Sequence, residues 1–246
     1  MNMEWKTAAV GGVIGGVFSL VVVFAAAWSG ALPNNSDAQI HQYLMAHPDL
    51  LYAMSDKLQK QQADLEQQKT RALIAKLGLK RFFDPAVAYV TGPVNAKNTF
   101  VEFFDYNCIH CRNSVAAVKK YYEAHKKDTR FAFVEFPIFG DQSNAAARVA
   151  VAARQQNDLY LKLHFMLMGE KQMIDPDLLA ADVKKAGLDD AKLKAALADA
   201  ALDKALAAAH KLGEEAKVDG TPTFVINGTV HPGEINDAEL KQLTKS

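Results

Sequence analysis

The sequence predicts an α/β sandwich interrupted by a helical insertion, with a helical arm and an apolar segment ahead of it. Three observations carry this reading. Thr99-Phe100-Val101-Glu102-Phe103-Phe104 and the alternating Thr129-Arg130-Phe131-Ala132-Phe133-Val134-Glu135-Phe136 read as strands on either side of a helix. Residues 141–218 are almost all helical in character, rich in Ala and Leu. Beyond them, a short strand at 223–227 turns at Asn227-Gly228, a hairpin signal, and continues at Val230. Strand, helix, strand, helical block, hairpin and helix make a layered α/β domain.

The elements follow in order. Residues 7–27 carry no charge and are flanked by Trp5 and Trp28. At about 1.5 Å per residue such a run reaches the ~30 Å of a bilayer core, with the tryptophans at interface depth. Gly11/Gly15 and Gly12/Gly16 have the small-residue spacing of packed membrane helices, a weak signal alone. The favoured reading is an uncleaved anchor within residues 1–31. A signal peptide, cleaved at the small residues 25–27 or 29–31, is the alternative. Both send the rest of the chain out of the cytoplasm, where disulfides persist.

Residues 32–80 read as a helical arm. Ser36 and Gln39 have capping-box spacing, and His47-Pro48 interrupts the helix before a second one starts. Leu51, Leu58, Leu65 and Ala72, with Met54, Gln61, Gln68 and Ala75, form a weak heptad seam. The arm is either a spacer or an association element, and its thin apolar face favours association. Residues 78–85 look like a junction, so the folded domain is expected over 81–246. Within it, 88–91 and 99–104 are strands, 108 to about 127 a helix and 129–136 a strand stopped by Pro137. Breaks near Asn157, Gly169, Asp175-Pro176, Gly187 and 201–203 cut the block 141–218 into four or five helices. Asn236 with Glu239 caps the last helix.

With 50% apolar residues the chain can bury a core, and its zero formal charge argues against a general nucleic-acid binder. There is no Gly-rich phosphate loop. The two cysteines of the chain stand together in Cys108-Ile109-His110-Cys111, directly after a strand, where thiol-disulfide exchange sites lie. Exchange needs a thiolate and a second thiol to resolve the mixed disulfide. At a helix start, unpaired N–H groups and the helix dipole favour the thiolate. Cys108 is therefore the expected attacking, exposed sulfur, and Cys111, one turn deeper, the resolving one. His110 between them can add positive charge.

Competing explanations are weaker. A zinc site wants four ligands, and His125, His164, His210 and His231 lack paired spacing. Haem attachment needs His at 112, where Arg stands. A structural disulfide across four residues closes almost no loop and would stabilise little. No metal and no cofactor beyond the Cys108–Cys111 redox pair is expected. Glu102 is an acid in an otherwise tolerable central strand. Buried there, its pKa should rise, and it could take the proton that leaves Cys111. A water-facing acid at a strand edge is the plain alternative. Pro222 stands at a strand entrance, where proline is permitted and can be cis.

Together, the runs from Val101 to Cys111 and Gly220-Thr221-Pro222-Thr223-Phe224-Val225-Ile226-Asn227-Gly228 resemble the DsbA-like branch of the thioredoxin superfamily over about residues 81–246. The resemblance implies a thioredoxin-like fold with a helical insertion. It makes Pro222 the cis-proline facing the disulfide, Thr221 the residue whose backbone pairs with substrate, and Glu102 the family's buried acid. His110 matches strongly oxidising members, while Ile109 stands where they often carry proline. Tyr43-Leu44 and His47-Pro48-Asp49-Leu50-Leu51 give residues 36–76 a weaker similarity to ScsC-type N-terminal regions, which can drive oligomerisation, so a homo-oligomer is one expectation beside a spacer.

The expected function is thus a protein thiol-disulfide oxidoreductase, an oxidase, an isomerase or both. Its clients would be unfolded or disulfide-containing exported proteins, and its electrons would pass to a membrane redox partner. The expected location is the bacterial periplasm, anchored to the inner membrane by residues 7–27, or soluble there if a signal is cleaved. The alternative is a membrane-anchored chaperone or metal-handling assembly factor with secondary thiol chemistry. Met166, Met168 and Met173 near His164 hint at copper, but at helical spacing they suit core packing better.

Overall fold

A computed structural model describes residues 36–156 and 159–244. The expected anchor at 7–27 lies outside the described residues. Among those described, no helix is long and apolar enough to cross a membrane. The chain divides into two compact units, one up to Gln62 and one from Ala63, a cut inside the stretch read as one arm. The described part of the first unit comprises α1 (Ser36–Ala46) and the opening turns of α2 (Asp49–Leu77), with no buried side chain. His47-Pro48 parts the two helices as expected.

The second unit takes the rest of α2, a 3₁₀ turn (Leu79–Phe83), β1 (Tyr89–Thr91), β2 (Asn98–Phe104), α3 (Ile109–His125) and β3 (Thr129–Glu135). The insertion follows as α4 (Asp141–Ala153), α5 (Leu159–Gly169), α6 (Pro176–Ala186), α7 (Asp190–Leu197) and α8 (Ala200–Glu215). The chain closes with β4 (Thr223–Ile226), β5 (Thr229–Pro232) and α9 (Asp237–Leu243). The strands form one mixed sheet in the order β1-β3-β2-β4-β5. β2 pairs parallel to β3 and antiparallel to β4, so it is central and carries its residues between two paired neighbours.

The sequence explains the helix ends. Asp175, Asp189 and Asp199 each cap a helix by accepting an N–H, and Asn236 with Glu239 forms the expected capping box. The break expected at 201–203 falls instead at Ala198–Asp199. The Asp199 side chain takes the Ala201 N–H, and Asp203 lies one turn inside α8. The Ala-rich run hid that boundary because alanine favours helix on both sides of it.

Two apolar clusters cover the two faces of the sheet. Phe100 and Phe104 of β2 join Phe131, Phe133 and the α3 and insertion residues. Val101 and Phe103, on the alternate face, join Ile74 of α2, Phe82, Phe83 and Leu212 of α8. Glu102, in phase with Phe100 and Phe104, therefore points to the first face, the one holding Cys108 and Cys111.

Candidate active site

Cys108 is the N-cap of α3 in an extended conformation. This places its sulfur where the first helical N–H groups are unpaired by the helix itself. Backbone N–H groups of Cys111 and His110 reach that sulfur. The pKa of Cys108 is lowered to about 6, first by the hydrogen bond from the Cys111 thiol and then by Thr221 and these N–H groups, with burial opposing. Cys111 moves the other way. Burial, then the hydrogen bond to Cys108, pushes its thiol well above the ordinary cysteine range. The two free thiols are thus split into one that ionises readily and one that holds its proton.

One expectation needs correcting. Cys108 is not exposed: it shows 1% of its surface. The loop before β4 lies over it, and the Cys108 thiol donates to the carbonyl of Thr221 at 3.1 Å. The Thr221–Pro222 peptide bond is cis. The sequence pattern located this loop but not how far it screens the sulfur, because the contact joins residues 113 apart.

Glu102 is buried, 2% exposed, which removes the alternative of an acid in water. Among the described residues its Oε2 has no hydrogen-bond partner. Desolvation first, then the charge of Cys108, raises its pKa to about 8. His110 is exposed, and its Nδ1 lies 2.5 Å from Glu234 Oε1. That hydrogen bond is the main cause of its raised pKa. The ring's charge is thus shared with a carboxylate rather than reserved for the sulfur. Asn113 also donates to Glu234 Oε1, at 2.8 Å.

Glu234 belongs to a clamp that sequence reasoning did not find. The Gly233 N–H donates to the Pro222 carbonyl at 2.8 Å. The Ile235 N–H donates to the Ser114 hydroxyl at 3.0 Å, and that hydroxyl donates to the His110 carbonyl at 3.1 Å. The segment after β5 therefore ties the cis-proline loop to the first turns of α3. The signal available was Pro232-Gly233-Glu234, a turn beside the capping box, with nothing to name its partner.

Asp105 forms a second missed anchor. It is 1% exposed, and its oxygens accept from the N–H groups of Asn107, Ile138 and Phe139 and from the Ser143 hydroxyl, at 2.7 to 3.0 Å. Asn107 accepts from the Ile174 N–H at 2.6 Å. These bonds hold Ile138, Phe139 and Met173, all exposed, around the cysteine turn, where Ile109 is also exposed. The rim of the site is therefore apolar.

The residues behind the copper hint fall in different surroundings. His164 is buried with Nδ1 3.3 Å from the Tyr106 hydroxyl and its ring packed on Phe104 and Phe133, Met168 is buried, and Met173 is exposed. Burial lowers the His164 pKa to about 3. Among the described residues no group of three or more His, Cys, Asp or Glu is placed to hold a metal.

A family model described as thioredoxin matches residues 86–246. A thioredoxin-like oxidoreductase from Silicibacter pomeroyi DSS-3 superposes with TM-score 0.62 at 32% identity, over 68% of this chain and 95% of that one. ScsC of Proteus mirabilis, in a transitional conformation, superposes with TM-score 0.61 at 26% identity, over 87% of this chain and 94% of that one. The thiol-disulfide exchange protein alpha-DsbA2 of Wolbachia pipientis shares the fold, with TM-score 0.66 at 23% identity over 72% and 95% of the two chains. Among curated proteins, the Na(+)/H(+) antiporter NhaA 3 of Salinispora tropica is 28% identical over 165 residues, 66% of this chain and 25% of that protein. The chain spans about a quarter of the length of the curated relatives it matches.

Proposed function

The chain belongs to the thioredoxin family, with DsbA- and ScsC-type thiol-disulfide oxidoreductases among its structural neighbours, and from that premise we propose that it forms or rearranges disulfides in exported proteins through Cys108 and Cys111. The observation that carries this reading is the division of the pair. The Cys108 thiol, which ionises readily, lies against the carbonyl of Thr221, next to cis-Pro222, while Cys111 keeps its proton.

In the oxidised protein, a client thiolate attacks Cys108 Sγ, breaks the Cys108–Cys111 bond and forms a mixed disulfide, leaving Cys111 as thiolate. A second client thiolate then attacks the client sulfur of the mixed disulfide. The client disulfide forms and Cys108 leaves as thiolate, a good leaving group at a pKa of about 6. Cys111 recovers its proton from Glu102, whose pKa of about 8 suits transfer near neutral pH. In isomerisation the reduced pair starts the cycle, and Cys111, losing its proton to Glu102, resolves stalled adducts. Thr221 and Pro222 border the client, and a membrane redox partner would reset the oxidised form.

The reading includes the periplasm as the compartment, since one structural neighbour is a periplasmic thioredoxin-like protein of Salmonella. It includes anchoring by residues 7–27 and self-association through the arm, whose apolar side chains are exposed. Reactivation of a scrambled disulfide substrate in glutathione buffer tests it, with oxidation of a reduced substrate alongside. Exchange in either assay that disappears in Cys108→Ser is the expected result. A chain that protects unfolded clients equally well as Cys108→Ser/Cys111→Ser, and shows no exchange as wild type, would be a chaperone instead.

A further inference from the structure

The cis-proline loop is also one wall of a trench. A groove of about 560 Å³ runs from Thr221 and Pro222 along Thr223, Val230 and Pro232. Its opposite wall is α2 between Ala63 and Thr70, within the same compact unit. That helix is fixed in place farther along. Ile74 is fully buried among Phe82, Phe83 and Phe103, and Arg71 Nε donates to Thr229 Oγ1 of β5 at 2.8 Å. The arm helix is therefore not only a stalk: its turns from Ala63 to Thr70 face the cis-proline loop across the trench.

Two features of the trench indicate what fills it. The N–H of Thr221 has no acceptor among the described residues, and its carbonyl accepts only the Cys108 thiol. Once that thiol is a thiolate or is bonded to a client sulfur, the carbonyl is released too. A free N–H and C=O on one loop residue next to the strand β4 fit the backbone of an extended polypeptide. The walls are also charged unequally. Among the described residues Asp64 on α2 and Asp219 on the loop side have no ion-pair partner, and Glu66 adds a third carboxylate, bridged to Lys69 at 2.7 Å. Lys217 is the single lysine lining the trench.

We propose that α2 from Ala63 to Thr70 is the outer wall of the client site, and that the trench takes an extended segment carrying lysine or arginine beside its reacting cysteine. The inference rests on the thiol-exchange reading above and assigns that site a substrate preference. It gives Asp64 and Asp219 the role of specificity determinants, acting on the client's flanking side chain and not on the sulfur.

The test uses the full chain and two short dithiol peptides, identical except for lysine or glutamate at the positions flanking the first cysteine. The lysine peptide should be oxidised about tenfold more efficiently in kcat/KM, a difference of ~1.4 kcal/mol. The preference should shrink as salt rises. In Asp64→Lys/Asp219→Lys the ratio should fall to one or below. Because the readout is a ratio, a general loss of activity cancels. Gln67→Trp, which puts an indole into the trench, should raise KM for both peptides. A wild-type ratio near one, or a ratio unchanged in the double variant, overturns the proposal. Absence of exchange with either peptide shows in the absolute rates, and would remove the thiol-exchange reading together with the trench assignment.

Discussion

In the proposed exchange Cys108 and Glu102 would set the chemistry, and their pKa values, moved to about 6 and about 8, make both roles testable. Cys108, lowered to about 6, should react with iodoacetamide at a rate that rises through that pH, while Cys111 stays silent up to pH 9. Its depressed pKa stabilises the reduced fold fully above the unfolded thiol's value near 9, and that contribution is lost as pH falls through about 6. Thermal melts of reduced protein against Cys108→Ser at pH 5 and pH 8 check the sign. Glu102 works in the opposite sense. Its pKa, raised from 4.5 to about 8, favours the fold below pH 4.5, and that advantage is lost as pH rises through about 8. Glu102→Gln should therefore be more stable than the parent at pH 8, by an amount on the order of a few kcal/mol. It should also slow turnover about a hundredfold, since the proton of Cys111 loses its acceptor. A variant equally active, or no more stable at pH 8, would return Glu102 to a structural role. The cysteines, Glu102 and Pro222 were legible because each is marked by its neighbours in the chain. Glu234 was not, because its contact with His110 joins residues 124 apart and leaves no local pattern.

At the level of elements, the strands were readable from alternation and the capped helices from their aspartates, since both signals are local. The packing between elements was not, and α8 shows why. Gly213 lies inside the last turn of α8, where a helical glycine costs up to about 1 kcal/mol relative to alanine. In the fold, a Cβ at Gly213 would meet the Phe136 ring at 2.4 Å. That ring is held by Phe103 at 5.9 Å centroid separation and by His210 at 4.7 Å, so it has little room to move. Gly213→Ala should therefore destabilise by about 1–3 kcal/mol despite the gain in helix propensity, as overpacked cores do. Urea denaturation measures this, and a stabilised variant would mean that Phe136 yields freely.

For the whole molecule, the long helix α2 has to satisfy two demands with two faces. Gln67, Thr70, Ile74 and Leu77, spaced at helical intervals, are at least partly covered within the second unit. The heptad positions Leu51, Met54, Leu58 and Leu65 are turned out and more than half exposed. Around them Ile40, Tyr43, Leu44, Met45 and Tyr52 are exposed too, while the catalytic rim contributes only a few such side chains. A stripe of this length is unusual on a monomer, which is the ground for the proposal that the arm associates. At ~25 cal/mol per Å² of apolar area, covering it in a bundle of copies would stabilise each chain by several kcal/mol. The chain should therefore associate with a concentration-dependent mass in sedimentation equilibrium. Leu51→Lys/Leu58→Lys should shift it to monomer while leaving the alkylation of Cys108 unchanged, because neither leucine belongs to the unit that holds the cysteines. If reactivation of scrambled substrate falls with the mass while simple oxidation persists, association brings several sulfurs to one client and makes the chain an isomerase. A mass equal to one chain at all concentrations would leave the arm as a spacer.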